Sequence, residues 1–342
     1  LIDASYINNS GGKTLLEYLI KTIDNTEIVE NYIFILDSRL DSNYTKLIPQ
    51  KNQYKIQSSV RVRYNIFKSL VKNFNFQAVF CFNNIPPPIF IKSALVFIYF
   101  HNTLLLNEQA NNYKFSKRVL FLIKFQFIKY LNRKNYTWIV QTAQTKEILR
   151  KEVKNEILIC PIFNEEIVAL KIVKLPVFLY VADGVPQKNH SILFKVWKSL
   201  ALEQEVFPQL FLTLNEKNYP LLIEQISELI KLGVKIENLG VLDRLDLDII
   251  YQKCKYLIFP SFTESFGLPL IEAAQRGCSV IASDLPFVYE VIKPSLVFNP
   301  SNPIDLQQII YQIVKKQVDI PRTDIIVNNK IYQIIKLLNQ NV

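Results

Sequence analysis

The chain has 342 residues, 49% of them hydrophobic, and a formal charge of +10; that length supplies two cores of ordinary size, so two domains are the expectation. No apolar run approaches the roughly 20 residues a membrane-spanning helix needs, and the opening Leu1-Ile2-Asp3-Ala4-Ser5 does not read as a secretory signal. Cys81, Cys160, Cys254 and Cys278 stand alone, without the close pairs of a zinc site or the density of a disulfide scaffold, which fits a reducing cytoplasm.

In chain order, "NNSGGKTLLEYLI" (8–20) puts Gly11 and Gly12 between a first strand and a first helix, where bare backbone amides can approach a diphosphate. Gly12-Lys13-Thr14 has the tail of a P-loop, but Ile7 stands where the leading glycine is required, which sets an NTPase aside. "NYIFILD" (31–37), "FQAVFCF" (76–82), "SALVFIYF" (93–100) and "YTWIVQT" (136–142) read as buried strands of the first half. His101 lies just beyond the third of these.

Charge is unevenly spread. Lys and Arg outnumber Asp and Glu by 22 to 13 in residues 1–170 and by 18 to 17 in residues 171–342. From Ser42 to Asn107 there is no acid, while Lys46, Lys51, Lys55, Arg61, Arg63, Lys68, Lys72 and Lys92 are present. Such a field attracts an anionic surface, and no nucleic-acid-binding motif accompanies it, so nucleic acid is not an expected partner. "FSKRVLFLIKFQFIKYLNRK" (115–134) has two readings. It suits an interfacial membrane helix, or equally a core helix with a solvated basic face.

The second half repeats the alternation. "VFLYVAD" (177–183), "QLFLTL" (209–214), "YLIFPS" (256–261), "SVIASD" (279–284) and "SLVFNP" (295–300) are strand-like, separated by helical stretches such as Leu221–Leu232 and Leu245–Cys254. Strands alternating with helices predict an α/β architecture of two doubly wound parallel sheets, covering residues 1–170 and 171–342, with a boundary near 167–176 and a last helix free to pack back on the first domain. Asp246 and Asp248 form a D-x-D, but at a predicted helix start acids favour the dipole, so a solvated or capping role is expected and no metal.

The most informative stretch is "FPSFTESFGLPLIEAA" (259–274). A strand ends, a loop carries Glu264, and Pro269 suits the start of a helix whose first turn is expected to hold Glu272. Backbone N–H groups at that helix start, exposed by Gly267, form a site for phosphate oxygens. Carboxylates repel a diphosphate; their better task is to accept hydrogen bonds from hydroxyls of a ribose and a hexose.

These residues resemble the retaining glycosyltransferases of family 4, which have the two-domain GT-B fold. Pro260, Ser261, Glu264, Phe266, Gly267, Leu268, Pro269, Glu272 and Ala273 match that family's hallmark, and the likeness continues through "GCSVIASDLPFVYEVI" (277–292) and "LVFNPSNPIDL" (296–306). The resemblance implies two Rossmann-like domains facing across a cleft and transfer of a sugar from a nucleotide-diphosphate donor, UDP- or GDP-linked, with retention at the anomeric carbon and neither metal nor cofactor. It implies that Glu264 holds the transferred sugar, that Ser265, Phe266, Gly267 and Leu268 contact sugar and phosphate, and that Glu272 binds ribose. "YVADGVPQKNH" (180–190) looks like the family's phosphate-binding turn, with Lys188 against the leaving diphosphate; Asp183 departs from the pattern where an Arg is common. His101 stands where members have a histidine near the donor sugar, and Gln141 and Thr142 are acceptor-side candidates. Bacterial surface polysaccharide synthesis, with a saccharide or lipid-linked saccharide acceptor at the inner face of the plasma membrane, is the implied setting. Hydrolysis by a carboxylate pair and a non-catalytic polyanion-binding role are the alternatives.

Overall fold

The computed structural model describes residues 1–8, 10–26, 29–41, 43–106, 113–166 and 172–340, which fall in two compact units, Leu1–Asn164 with Asn328–Val342, and Glu165–Val327. Residues 167–171 of the predicted boundary lie outside the described residues.

The first unit contains β1 (Ile2–Ala4), β2 (Phe34–Asp37), β3 (Gln53–Ile56), β4 (Ala78–Cys81), β5 (Leu95–Tyr99), β6 (Thr137–Val140) and β7 (Ile157–Ile159), with α1 (Ser10–Thr26), α2 (Val60–Asn73), α3 (Phe115–Leu131) and α4 (Ala143–Arg150). Its strands are all parallel, in the order β3-β2-β1-β4-β5-β6-β7. The second unit contains β8 (Leu175–Tyr180), β9 (Leu210–Leu212), β10 (Ile236–Asn238), β11 (Cys254–Phe259), β12 (Ser279–Ser283), β13 (Ile292–Lys293), β14 (Leu296–Phe298) and β15 (Asp324–Ile325). Its helices are α5 (His190–Gln204), α6 (Pro220–Lys231), α7 (Arg244–Lys253), α8 (Leu268–Gln275), α9 (Pro286–Tyr289) and α10 (Pro303–Lys315). The parallel order there is β10-β9-β8-β11-β12-β14, and β13 and β15 form a separate antiparallel pair.

Both sheets reverse direction at one point, between β1 and β4 in the first and between β8 and β11 in the second. Right-handed crossovers then place helices on opposite faces, and a crevice opens beyond the strand ends at the reversal. The predicted strands are all present, most of them shorter, while β11 keeps its six residues but lies two positions earlier than expected. Those missed are β3, β7 and β10, edge strands of three or four residues, and the two-residue pair β13 and β15, all too short or too polar to show as apolar runs. Cys254, expected to end a helix, instead opens β11.

The last helix, α11 (Ile331–Leu338), belongs to the first unit. Ile331, Ile334, Ile335 and Leu338 are its buried face. Lys330 N donates to Pro161 O at 2.8 Å, Asn329 Nδ2 to Tyr18 Oη at 2.8 Å, and Tyr32 Oη to Asn339 Oδ1 at 2.7 Å.

One cation counted in the acid-free segment is not part of any surface field. Arg63 is 3% exposed and bonds Asp3, which is fully buried in the middle of β1, through Nε at 2.8 Å and Nη2 at 2.7 Å. Nη2 also donates to the carbonyls of Ile85 and Pro86, each at 2.9 Å. A guanidinium has enough donors to satisfy both a carboxylate and a turn, and here it ties β1, α2 and the loop after β4 together. Lys46, Lys51, Lys55, Arg61, Lys68, Lys72 and Lys92 remain exposed.

Candidate active site

In the second unit, β8 ends in Tyr180, whose hydroxyl donates to Lys188 O at 2.6 Å and so pins the turn that follows. Asn189 is in the left-handed region at φ 55°, which asparagine tolerates, and its Nδ2 donates to Pro260 O at 3.2 Å and Pro300 O at 2.8 Å. Phe262 N donates to Gln187 O at 2.8 Å. Loops from the ends of β8, β11 and β14 are thereby bound to one another at the reversal point of the sheet.

That convergence brings Lys188 and Glu264 together. Lys188 Nζ donates to Glu264 Oε1 at 2.5 Å, with side-chain exposures of 17% and 12%, low enough that water and salt screen the pair only partly. Gly267 opens α8 at φ 89°, a backbone conformation that L side chains rarely adopt, so the turn demands glycine. Pro269 follows in the first turn, as predicted. Phe266 is buried in the core, which leaves only its backbone for a ligand, and Ser265 and Leu268 are half-buried.

Glu272 lies in the second turn of α8 rather than the first, and it is not alone. Arg244 Nη1 donates to its Oε1, and Tyr251 Oη donates to its Oε2 at 3.1 Å. Asp248 completes this cluster, with Arg276 Nη2 at 2.6 Å and Arg244 Nε at 3.5 Å. The D-x-D therefore divides: Asp246 is exposed in the first turn of α7, capped by Asp243, while Asp248 is buried and ion-paired rather than solvated. Among the described residues no group of three His, Cys, Asp or Glu is placed to hold a metal. Nothing in the sequence signals Arg244 or Tyr251, since their partner lies more than 20 residues away along the chain.

In the first unit, Gly11 and Gly12 sit inside the first turn of α1 rather than in a preceding loop. A Cβ on Gly12 would be 3.7 Å from His101 Nε2. Asn84, at φ 68°, fixes His101: its Oδ1 accepts from His101 N at 2.7 Å and Asn102 N at 3.0 Å, which turns Nδ2 toward His101 Nε2 at 3.4 Å. An amide NH2 only donates, so Nε2 accepts and the proton is on Nδ1. Nδ1 is buried, with no partner among the described residues. Thr142 is the N-cap of α4, accepting from Thr145 N at 3.2 Å, and Gln141 Oε1 is buried and unpartnered among the described residues.

Burial lowers His101 to about 4, and burial with Lys188 nearby lowers His190 to about 3. The unfolded chain, with ordinary histidines near pH 6.5, then binds more protons between about pH 6.5 and 4, so stability falls as pH falls through that window. His190→Asn is expected to flatten this dependence, read as the urea midpoint against pH; an unchanged slope would refute the neutral assignment.

Residues 163–331 match the family model of glycosyl transferases group 1, a span that contains the whole of the second unit. The second unit belongs to that family. The O-antigen chain mannosyltransferase RfbU of Salmonella typhimurium is 31% identical over 140 residues, which cover 40% of this chain and 38% of RfbU. The chain thus matches well under half of that relative's length. Among solved structures, Anabaena HepE in complex with UDP and glucose has a TM-score of 0.65 at 12% identity, covering 92% of this chain and 90% of that one. The lipopolysaccharide outer core galactosyltransferase WaaB has a TM-score of 0.61 at 17% identity, covering 93% and 90%. These likenesses show the fold: two parallel-sheet Rossmann-like units of the GT-B kind.

Proposed function

We propose that this chain, whose second unit matches glycosyl transferases group 1, moves a hexose from a nucleotide-diphosphate sugar to a saccharide or lipid-linked saccharide in bacterial surface polysaccharide synthesis. The observation that carries the reading is the Lys188–Glu264 pair beside the start of α8, at the point where the sheet reverses. The names of RfbU as a mannosyltransferase and of HepE as a UDP and glucose complex support the substrate class.

In the proposed reaction the bond between the anomeric carbon and the diphosphate oxygen breaks while the acceptor oxygen bonds that carbon from the same side, which retains configuration. The acceptor's proton passes to the departing diphosphate. Lys188 and the positive N-terminal end of α8 stabilise the charge growing on that diphosphate, and Glu264 accepts hydrogen bonds from the sugar's hydroxyls. Glu272 takes ribose hydroxyls with its remaining lone pairs, held in place by Arg244 and Tyr251. Metal independence is part of the proposal, with Asp248 taken up by two arginines. So is a site of action at the cytoplasmic face of an anionic membrane. Glycoside hydrolysis needs two carboxylates facing one bond, whereas Glu264 and Glu272 are bound by different cations from different elements.

Thermal-shift screening against UDP, GDP, dTDP and their sugars tests the reading, since a ligand of the folded state raises the melting temperature through linkage. A chain indifferent to all of them would overturn it. Glu272→Gln is expected to weaken the selected nucleotide by about 1–3 kcal/mol, the range for a lost charge-assisted hydrogen bond. Calorimetry with the 2′,3′-dideoxy nucleotide provides the control, because the penalty should vanish when the hydroxyls are gone.

A further inference from the structure

Asn84 commits its side chain to the residues just after β5. Two backbone donors, His101 N and Asn102 N, hold its Oδ1 and so fix which way the amide points. The loop around it is fixed as well. Asn83 Nδ2 donates to Ser5 Oγ at 3.0 Å, Asn83 Oδ1 accepts from Ile85 N at 3.2 Å, and Arg63 holds the carbonyls of Ile85 and Pro86. Asn84 Nδ2 is thereby kept against His101 Nε2. The imidazole lies beside the rings of Phe82 and Tyr99, each centroid 5.8 Å away. Burial lowers its pKa with no charged neighbour contributing among the described residues, so it is neutral at ordinary pH. A neutral ring that accepts at Nε2 carries its proton on Nδ1.

That Nδ1–H is buried and has no partner among the described residues. A buried donor left unmet costs about 1–3 kcal/mol, so one held this firmly in place calls for an atom to receive it. The neighbouring strand indicates which kind. Tyr99 pairs with Ile139, and Phe100 N then donates to Ile139 O at 2.8 Å, so His101 and Gln141 stand at matching positions beyond the ends of β5 and β6, on one face of the sheet. Gln141 is 4% exposed, and its Oε1 is a buried acceptor, equally unmet among the described residues. A donor and an acceptor at neighbouring positions suit a group that accepts and donates through one atom, which is a hydroxyl. An ionised phosphate oxygen would meet the donor and be repelled by the acceptor.

We propose that Asn84 is a positioning residue for sugar transfer: it holds His101 as the Nδ1–H tautomer, which together with Gln141 Oε1 binds a sugar hydroxyl. This deepens the proposed transfer and rests on it. The tautomer is read with no ligand present, so the two fail separately.

The experiment is NMR of the full chain with nitrogen-15 in its histidines, of which there are two, assigned by the His190→Asn spectrum. Couplings from the ring protons to the two nitrogens separate the tautomers, and wild-type His101 is expected as neutral Nδ1–H. Asn84→Asp keeps the volume and tolerates the same φ of 68°. The two backbone amides keep its carboxylate ionised, and that carboxylate accepts where the amide donated, so the proton moves to Nε2. At alkaline pH the variant should lose about tenfold or more in kcat, with the nucleoside diphosphate bound as before. Its kcat should recover as pH falls and the imidazolium regains Nδ1–H, a recovery the wild type does not show. Circular dichroism checks folding. UDP-glucose or GDP-mannose should shift the wild-type Nδ1–H signal where UDP and GDP do not; a shift with free hexose alone would assign the hydroxyl to the acceptor. Nε2–H in the wild type, an unmoved proton in the variant, or a moved proton with wild-type kcat and pH profile would overturn the proposal. So would a wild-type Nδ1–H signal that none of these ligands shifts.

Discussion

Glu264→Gln is expected to lower kcat by a factor of about 10² or more while the nucleoside diphosphate binds as well as before, or tighter. The two halves of that expectation come from the same contact. Glu264 is bound by Lys188 at 2.5 Å, so the amide removes the charge that competes with a diphosphate for the ammonium. Free Lys188 then favours the nucleotide. The transition state loses a carboxylate facing a sugar that becomes positive as its bond to phosphate breaks, an interaction stronger there than in the ground state. Initial rates with the full donor and calorimetry with the nucleoside diphosphate separate the effects. An unchanged kcat, or parallel loss of rate and nucleotide affinity, would refute the role given to Glu264.

Asp3→Asn is expected to cost about 3–5 kcal/mol of stability, because it leaves the buried guanidinium of Arg63 without its counter-charge. Asp3 is fully buried and Arg63 3% exposed, so water cannot substitute. The two single losses, Asp3→Asn and Arg63→Met, should exceed that of the double variant when added, since each strands the other partner. Urea denaturation checks this, and strictly additive losses would show that the pair is not coupled. The consequence reaches the candidate site, because Arg63 also holds the carbonyls of Ile85 and Pro86, next to Asn84 and its contact with His101.

The legible part of this chain was local. Buried central strands announce themselves as continuous apolar runs, and the strand, loop and helix around Glu264 lie within sixteen residues whose turn chemistry, Gly267 then Pro269, is explicit. What stayed hidden depends on long-range pairing. Arg63 read as a surface cation because its partner is 60 positions away, and Asp248 read as solvated because Arg276 reaches it from α8's far end. Helix α3 was ambiguous for another reason. Its composition allowed two orientations, and only the packing of Phe125, Ile128 and Leu131 shows which side faces out.

The return of α11 to the first unit sets an order of assembly. Glu165–Val327 is one uninterrupted stretch, whereas the unit before it is completed by residues from Asn328 onward. During synthesis the later-encoded unit can close on itself as soon as its own stretch emerges. The earlier-encoded one waits, with the apolar surface that Ile331, Ile334, Ile335 and Leu338 will cover still open to the ribosome's surroundings. The half made first is therefore the half finished last, and a nascent chain stalled before Asn328 exposes its unfinished side to chaperones.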